Sequence, residues 1–322
     1  MILTVTLNPT LDKFYWVDHL PLSLERVEEE ILIRAKKSAT SAGGKGINVS
    51  VFLACMGVDT VAMGFLAGHT GQIILRDVLA RGATANFVWI EGENRTNVTI
   101  IERGKEYHPV KIHEQGPSIP PQAVDMFLRK YRRMLRRAEY VVLGGALPPG
   151  IPADFYRELV RLANEAGVRA VVHAGLTALR EAILAKPYFI KPDVREEAEV
   201  GGLPARTEEE IIQAGKHAVQ QGVEICLISH HVTGDILVTP QGVWDLEARV
   251  PLSKYKNLVG ADDALVAGVL YRLVEGDSVL DAVRFGMAAA IASAEIEPKL
   301  CLVKSFIERE MHEVEVHRKE GG

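Results

Sequence analysis

The sequence predicts an α/β fold, with a mostly parallel central sheet flanked by helices and a small β-sheet lid. Three observations carry that expectation. Strand and helix signals alternate along most of the 322 residues, the pattern of βαβ units with helices on both faces of a sheet. Two small-residue turns, Gly43-Gly44-Lys45-Gly46 and Val259-Gly260-Ala261, each feed an apolar helix. Two segments, 13–37 and 86–112, are β-rich and lack long helical patterns.

The elements follow in order. Met1–Leu7 is a buried apolar strand, with no basic n-region or cleavage site; it does not read as a signal peptide. Residues 44–56 are helical and 58–65 extended; 72–81 are helical again. Short β pieces fall at 86–90, 97–102 and 106–112. Residues 121–137 form a strongly basic helix, and 140–143 a strand. Over 154–166, Phe155, Leu159, Leu162, Ala163 and Ala166 fall on one helical face. Strands are expected at 168–172, 188–190 and 223–229, with a helix at 211–221 between the last two. Residues 236–239 and 243–246 read as a hairpin around Pro240-Gln241-Gly242. Helices at 264–274, 279–294 and 305–314 finish the chain.

Composition narrows the function. A net charge of −5 gives no basic footprint for nucleic acid. The basic run Lys130, Arg132, Arg133, Arg136 reads as a solvated helix face. No apolar run reaches membrane-spanning length. Three cysteines, Cys55, Cys226 and Cys301, are odd in number and widely spaced. They suggest neither a disulfide framework nor a zinc site, and a cytoplasmic location is expected.

The two glycine turns point to chemistry. Helix N-termini attract anions through their free N–H groups and dipole. In Gly43-Gly44-Lys45-Gly46-Ile47-Asn48, glycines let the backbone approach a ligand. Lys45 supplies charge and Asn48 can bind hydroxyls. The spacing is not that of a P-loop, and the ordinary reading is a glycine-rich helix start with a solvated lysine. Asp12, just after the first strand, suits sugar hydroxyls or a plain turn. Arg95 suits a phosphate, or a polar hairpin tip. Gly260 and Ala261 could set backbone N–H groups on a transferring phosphoryl, and Asp263 could take a proton from the acceptor. A helix cap explains one of the aspartates Asp262 and Asp263, but not both. His230-His231 invites a metal reading, but adjacent strand residues point to opposite faces, and a loop pair is expected.

Taken together and in order, these residues resemble the ribokinase-like (PfkB) carbohydrate kinases, nearest the branch with 1-phosphofructokinase and tagatose-6-phosphate kinase. The match runs through Thr4-Val5-Thr6-Leu7-Asn8-Pro9-x-x-Asp12, Ala42–Val49, Arg95-Thr96-Asn97, Leu147-Pro148-Pro149-Gly150, Ile190-Lys191-Pro192, Val259-Gly260-Ala261-x-Asp263 and Arg284-Phe285-Gly286. It implies a Rossmann-like ribokinase fold in one domain over 1–322, and a lid that makes a homodimer. It also implies Mg2+- and ATP-dependent phosphorylation of a sugar phosphate. By position, Asp12, Gly43, Gly44, Lys45, Asn48 and Arg95 would hold the sugar phosphate. Asp263 would be the base, beside Gly260 and Ala261. Lys191, Asp193, Ser229 and Asp262 would face the nucleotide, and Glu196 the magnesium.

The departures cluster on the nucleotide side. The family's Gly-Ala-Gly-Asp is here Gly260-Ala261-Asp262-Asp263. Its Ser-Gly-Ser is Gly144-Gly145-Ala146, and its Asp-x-Ser-Gly is His173-Ala174-Gly175-Leu176. Its Lys-Pro-Asn is Lys191-Pro192-Asp193, its Ser-Leu-Gly is Ser229-His230-His231, and its late Gly-Thr is near Pro298-Lys299. Two unit charges ~4 Å apart at an effective dielectric of ~20 repel by roughly 4 kcal/mol. Asp262 is therefore expected to repel a triphosphate, and to lose a backbone conformation that only glycine adopts easily. Two other readings stay open at this point. One is a catalytically impaired homologue that binds a sugar phosphate as a sensor or scaffold. The other is a kinase in which Asp262 helps hold magnesium.

Overall fold

The computed structural model describes residues 1–21, 32–106, 108–297 and 301–319. Its main sheet runs in the order Val314–Lys319, Gly242–Ala248, Gly234–Thr239, Ile225–Ser229, Phe189–Ile190, Arg169–His173, Tyr140–Gly144, Ile2–Thr6, Thr60–Ala67. Thr84–Ala85 and Val88–Ile90 both pair with Thr60–Ala67. Pairing is parallel from Ile225–Ser229 across to this edge, and antiparallel in the three strands beyond.

Strand alternation sends neighbouring side chains to opposite faces. Leu3, Val5, Val141 and Leu143 pack with Phe127, Tyr131, Phe155 and Leu159 on one face. Ile2, Tyr140 and Val142 pack with Phe52, Leu265, Val269 and Phe285 on the other. The apolar helices Ala261–Glu275 and Val279–Glu295 thus lie against the face that also carries Lys45–Cys55. The basic helix Pro121–Leu135 buries Ala123, Phe127, Tyr131 and Leu135 and exposes Arg129, Arg132 and Arg133. Lys130 departs from the expected solvated face and donates to Asn86 Oδ1 at 3.0 Å and to Phe87 O at 2.8 Å.

The lid is a separate four-stranded sheet in the order Lys37–Gly43, Thr10–Val17, Arg95–Glu102, Val110–His113. Its bounds differ from those expected. Residues 84–90 belong to the main sheet, where buried Phe87 and Val88 join apolar clusters. The lid strands instead reach back to Thr10 and forward to Gly43, so the glycine turn grows directly out of the lid. Residues 22–31 of the expected lid lie outside the described residues.

Other expectations need correction. Leu176–Ile183 is a helix that was not anticipated. After Lys304–Glu310 the chain does not stay helical. Val314–Lys319 becomes an edge strand, and its Val314 and Val316 alternate with polar residues. Cys55 and Cys301 form a disulfide, with Cα atoms 5.6 Å apart across 246 residues of sequence. Spacing alone could not reveal a pairing that only the fold creates. Cys226 is buried and free, and burial pushes its thiol up to about 12.

Candidate active site

The first glycine turn is shaped by close packing. Gly44 caps the helix Lys45–Cys55 with φ +108, and a Cβ there would collide with Thr6 Cγ2. A Cβ on Gly46 would lie 2.5 Å from the Val5 carbonyl oxygen. Thr6 Oγ1 accepts a hydrogen bond from Ile47 N at 2.8 Å. The helix start is thereby clamped onto the end of the first strand. The same closeness accounts for Gly144, where a Cβ would stand 2.8 Å from Gly46 N. The serine of the family pattern has no room there unless the turn shifts.

The lid register builds the floor beside this turn. Thr10 pairs with both Gly43 and Arg95. Asp12 pairs with Ser41 and Asn97, and Asn97 pairs with His113. Among the described residues, the buried atoms Asn8 Oδ1, Thr10 Oγ1, Ser41 Oγ and Asn97 Oδ1 have no hydrogen-bond partner. Buried polar groups are normally satisfied, so this concentration fits a hydroxyl-rich ligand. Arg95 is partly committed to the chain. It donates to Asn8 O at 3.2 and 3.0 Å and to Glu114 O at 3.3 Å. Burial lowers its pKa, against the pull of Asp12 and Glu114.

The second turn opens the helix Ala261–Glu275, with Gly260 left-handed at φ 84. Asp263 is buried, and its Oδ2 accepts from Asn48 Nδ2 at 2.7 Å. This bond joins the two glycine turns. The Oδ1 lies 3.2 Å from His173 Nε2. The Ala261 N–H, expected to be free for a phosphoryl group, already reaches Leu258 O at 3.3 Å within the preceding turn.

Asp262 does not behave as an isolated charge. It takes ordinary helical backbone; Lys186 is the one non-glycine residue with positive φ among those described. Asp262 itself therefore carries no backbone strain. Its carboxylate lies 2.9 Å from Arg195 Nη2 and 3.9 Å from Lys191 Nζ. Burial opposes its charge, but Lys191 and Arg195 overcome that and hold it below the usual carboxylate range. Arg195 also grips Asp193, at 2.8 and 2.6 Å. Buried Lys191 bonds Ser229 and lies 3.1 Å from Asp235, which accepts from Ser229 Oγ at 2.7 Å. Burial works against the Lys191 charge; Asp235, Asp262 and Asp193 more than offset it.

Beside this cluster lies a cleft lined by Thr233, Ala248, Tyr255, Leu258, Met287 and Ile291. Its walls are mixed, with Ala248, Leu258, Met287 and Ile291 apolar. His231 lines it as well. His230 and His231 sit in the turn after Ile225–Ser229, with ring centroids 4.1 Å apart. They do not point to opposite faces, because the strand ends before them. Pro298 and Lys299 lie outside the described residues.

A pfkB family carbohydrate kinase model matches residues 6–297. The chain belongs to that family. The 1-phosphofructokinase of Bacillus subtilis is 32% identical over 318 residues, covering 99% of this chain and 100% of that protein. The D-tagatose-1-phosphate kinase of Bacillus licheniformis is 31% identical, covering 91% and 92%. A possible 1-phosphofructokinase of Thermotoga maritima superposes with a TM-score of 0.90 at 31% identity, covering 99% of each chain.

Within this pfkB frame the structure separates the expected residues into two groups. Asp12, Gly43, Gly44, Asn48 and Arg95 line the lid side. Lys191, Asp193, Ser229 and Asp262 gather around a common set of charges. Lys45 stands between them. It lines a recess with Gly175, Asp193 and Glu196, and its charge reaches His173 and Asp262. Glu196 is exposed, and among the described residues no group of three His, Cys, Asp or Glu could hold a metal. Arg195, Asp235, Ser41 and His113 were not anticipated. Only Arg195 left a signal, as a cation two residues beyond Asp193.

Proposed function

We propose that this pfkB kinase transfers the γ-phosphoryl group of ATP to a hydroxyl of a sugar phosphate of the fructose 1-phosphate, fructose 6-phosphate or tagatose 6-phosphate class. We read residues 1–322 as one kinase domain. The observation that carries this reading is the 2.7 Å bond from Asn48 to Asp263, which ties a hydroxyl-binding turn to a carboxylate at a helix N-terminus. Asp263 takes the hydroxyl proton while the oxygen attacks the γ-phosphorus and the bond to ADP breaks. Lys45 and Arg95 hold the substrate phosphate, and Asp12 and Asn97 its hydroxyls. At the helix N-terminus the Gly260 and Asp262 N–H groups, rather than that of Ala261, stabilise charge on the moving phosphoryl. Magnesium, when bound, neutralises charge on the phosphates. With no protein cage among the described residues, most of its ligands would be phosphate oxygens and water, with Glu196 beside them.

The relatives named above are kinases, and none favours the sensor or scaffold reading. The test is a turnover assay with Mg-ATP and each of the three sugar phosphates, alongside calorimetric titration. Turnover at ~1–100 per second is expected for one of them; binding of the sugar without turnover would defeat the proposal. Among the described residues the lid strands Lys37–Gly43 and Val110–His113 are paired on one side only, which suits pairing with a second copy of the chain. A dimer is expected in light scattering at micromolar concentration, and a monomer alone would count against it. The proposed location is cytoplasmic, where the Cys55–Cys301 disulfide would have to form against reducing conditions. Separately, no helix among the described residues is long and apolar enough to cross a membrane.

A further inference from the structure

We propose that His173 is a positioning residue that acts through Asp263: whether its Nε2 carries a proton decides how readily Asp263 takes one from the substrate. This rests on the reading of Asp263 as the base. His173 ends the strand Arg169–His173, and its side chain is 1% exposed. Its Nδ1 lies 3.2 Å from the Lys191 carbonyl oxygen, and its Nε2 lies 3.2 Å from Asp263 Oδ1. Both oxygens can only accept, unless Asp263 is protonated. A neutral imidazole has one N–H to give. It can satisfy one neighbour and leaves a lone pair against the other. Among the described residues, neither Nε2 nor Oδ1 makes a well-formed hydrogen bond to any other group.

The two oxygens of Asp263 therefore differ. Oδ2 is fixed by Asn48, while the surroundings of Oδ1 change with His173. The imidazolium would donate to both oxygens and stabilise the carboxylate, making Asp263 a weak base. The neutral ring with its proton on Nδ1 sets a lone pair against Oδ1. A proton arriving on Asp263 then becomes a shared hydrogen bond with Nε2. In the transfer step the substrate O–H bond breaks, the O–P bond forms and the bond to ADP breaks. The proton rests on the Asp263–His173 pair until it leaves with product.

The groups facing the ring favour the neutral form. Burial and then Lys45, from the helix Lys45–Cys55, hold His173 below its ordinary value. Asp263, from the helix Ala261–Glu275, pulls the other way, and Lys191, after Phe189–Ile190, adds to the lowering. Asp262, next to Asp263, also interacts with the ring. Acidification should therefore silence turnover as His173 gains its second proton, below about pH 6.5.

The test is the pH profile of kcat/KM for wild type, His173→Asn and His173→Gln. Neither amide can take up the proton, so the acid limb should move to lower pH. KM for both substrates should hold. An unmoved limb in a folded variant overturns the proposal. A second readout needs no turnover: the imidazole of His173 followed by nitrogen NMR in wild type and Asp263→Asn. Losing the carboxylate should lower the ring's titration point; an unchanged titration overturns the proposal. Full turnover in Asp263→Asn would instead remove Asp263 as the base. An inactive Asp263→Asn with an unmoved acid limb in the His173 variants would defeat this inference alone.

Discussion

The lid half of the site and the half proposed for the nucleotide are built in opposite ways. On the lid side, Asn8, Thr10, Ser41 and Asn97 present buried polar atoms with no partner among the described residues. On the nucleotide side, Lys191, Arg195, Asp193, Asp235 and Asp262 have paired with one another. The first arrangement leaves hydrogen bonds to be made by a ligand. The second already contains its own anion. Taken alone, Asp262 predicts roughly 4 kcal/mol of repulsion against a phosphate. Flanked by two cations it becomes a competitor instead: a triphosphate has to displace its carboxylate from Arg195.

The largest expected effect joins the halves. Asp263→Asn keeps the shape of the side chain but removes the proposed base. Turnover should fall by ~10²–10⁴-fold, the usual worth of acid–base catalysis, with calorimetric affinities for both substrates little changed. Loss of sugar binding instead would place Asp263 wholly in the lid half.

Asp262→Gly tests the competitor directly. It takes one carboxylate away from Arg195 and Lys191, which keep Asp193 and Asp235, and should tighten Mg-ATP binding by up to ~1.5–3 kcal/mol, the range for hydrogen bonds to charged groups. Sugar-phosphate affinity should not move. Weaker ATP binding would mean that the carboxylate organises the two cations for the nucleotide. The prediction would then reverse sign, and the two halves would both be preorganised.

Much of this was legible in the sequence, and the limits have a physical pattern. Buried strands, glycine turns and the residues Asn48 and Asp263 follow from local periodicity and from turn chemistry. Partnerships across the fold do not. Nothing near Asp262 in sequence announces Arg195, 67 residues away, and nothing near Cys55 announces Cys301. His173 read only as a departure from a pattern, and gained a role once the fold set its ring against Asp263. The strand Val314–Lys319 was missed because the helical pattern before it ran up to its first residue.

Arg95→Ala probes the lid half alone. Three of its hydrogen bonds already go to backbone carbonyls of Asn8 and Glu114, so fewer donors remain for a phosphate. The loss in sugar-phosphate affinity should sit at the lower end of that range, about 1.5 kcal/mol or roughly tenfold. ATP affinity should stay constant. Equal weakening of both ligands would show that the arginine braces the whole site through the Asn8 turn, and the division between halves would weaken.

The smallest effect is expected at Glu196, on the nucleotide side. It is exposed, and among the described residues it belongs to no cluster able to hold a cation by itself. A single exposed carboxylate contributes about as much as an exposed ion pair, roughly 0.2–1 kcal/mol. Glu196→Gln should therefore raise the magnesium needed for half-maximal activity by no more than about fivefold, measured at fixed ATP. Sugar affinity should be untouched. A much larger rise would mean that the nucleotide half builds a real metal seat once its internal ion pairs open. That outcome would sharpen the contrast between the halves, because one would be ready before its ligand arrives and the other assembled by it.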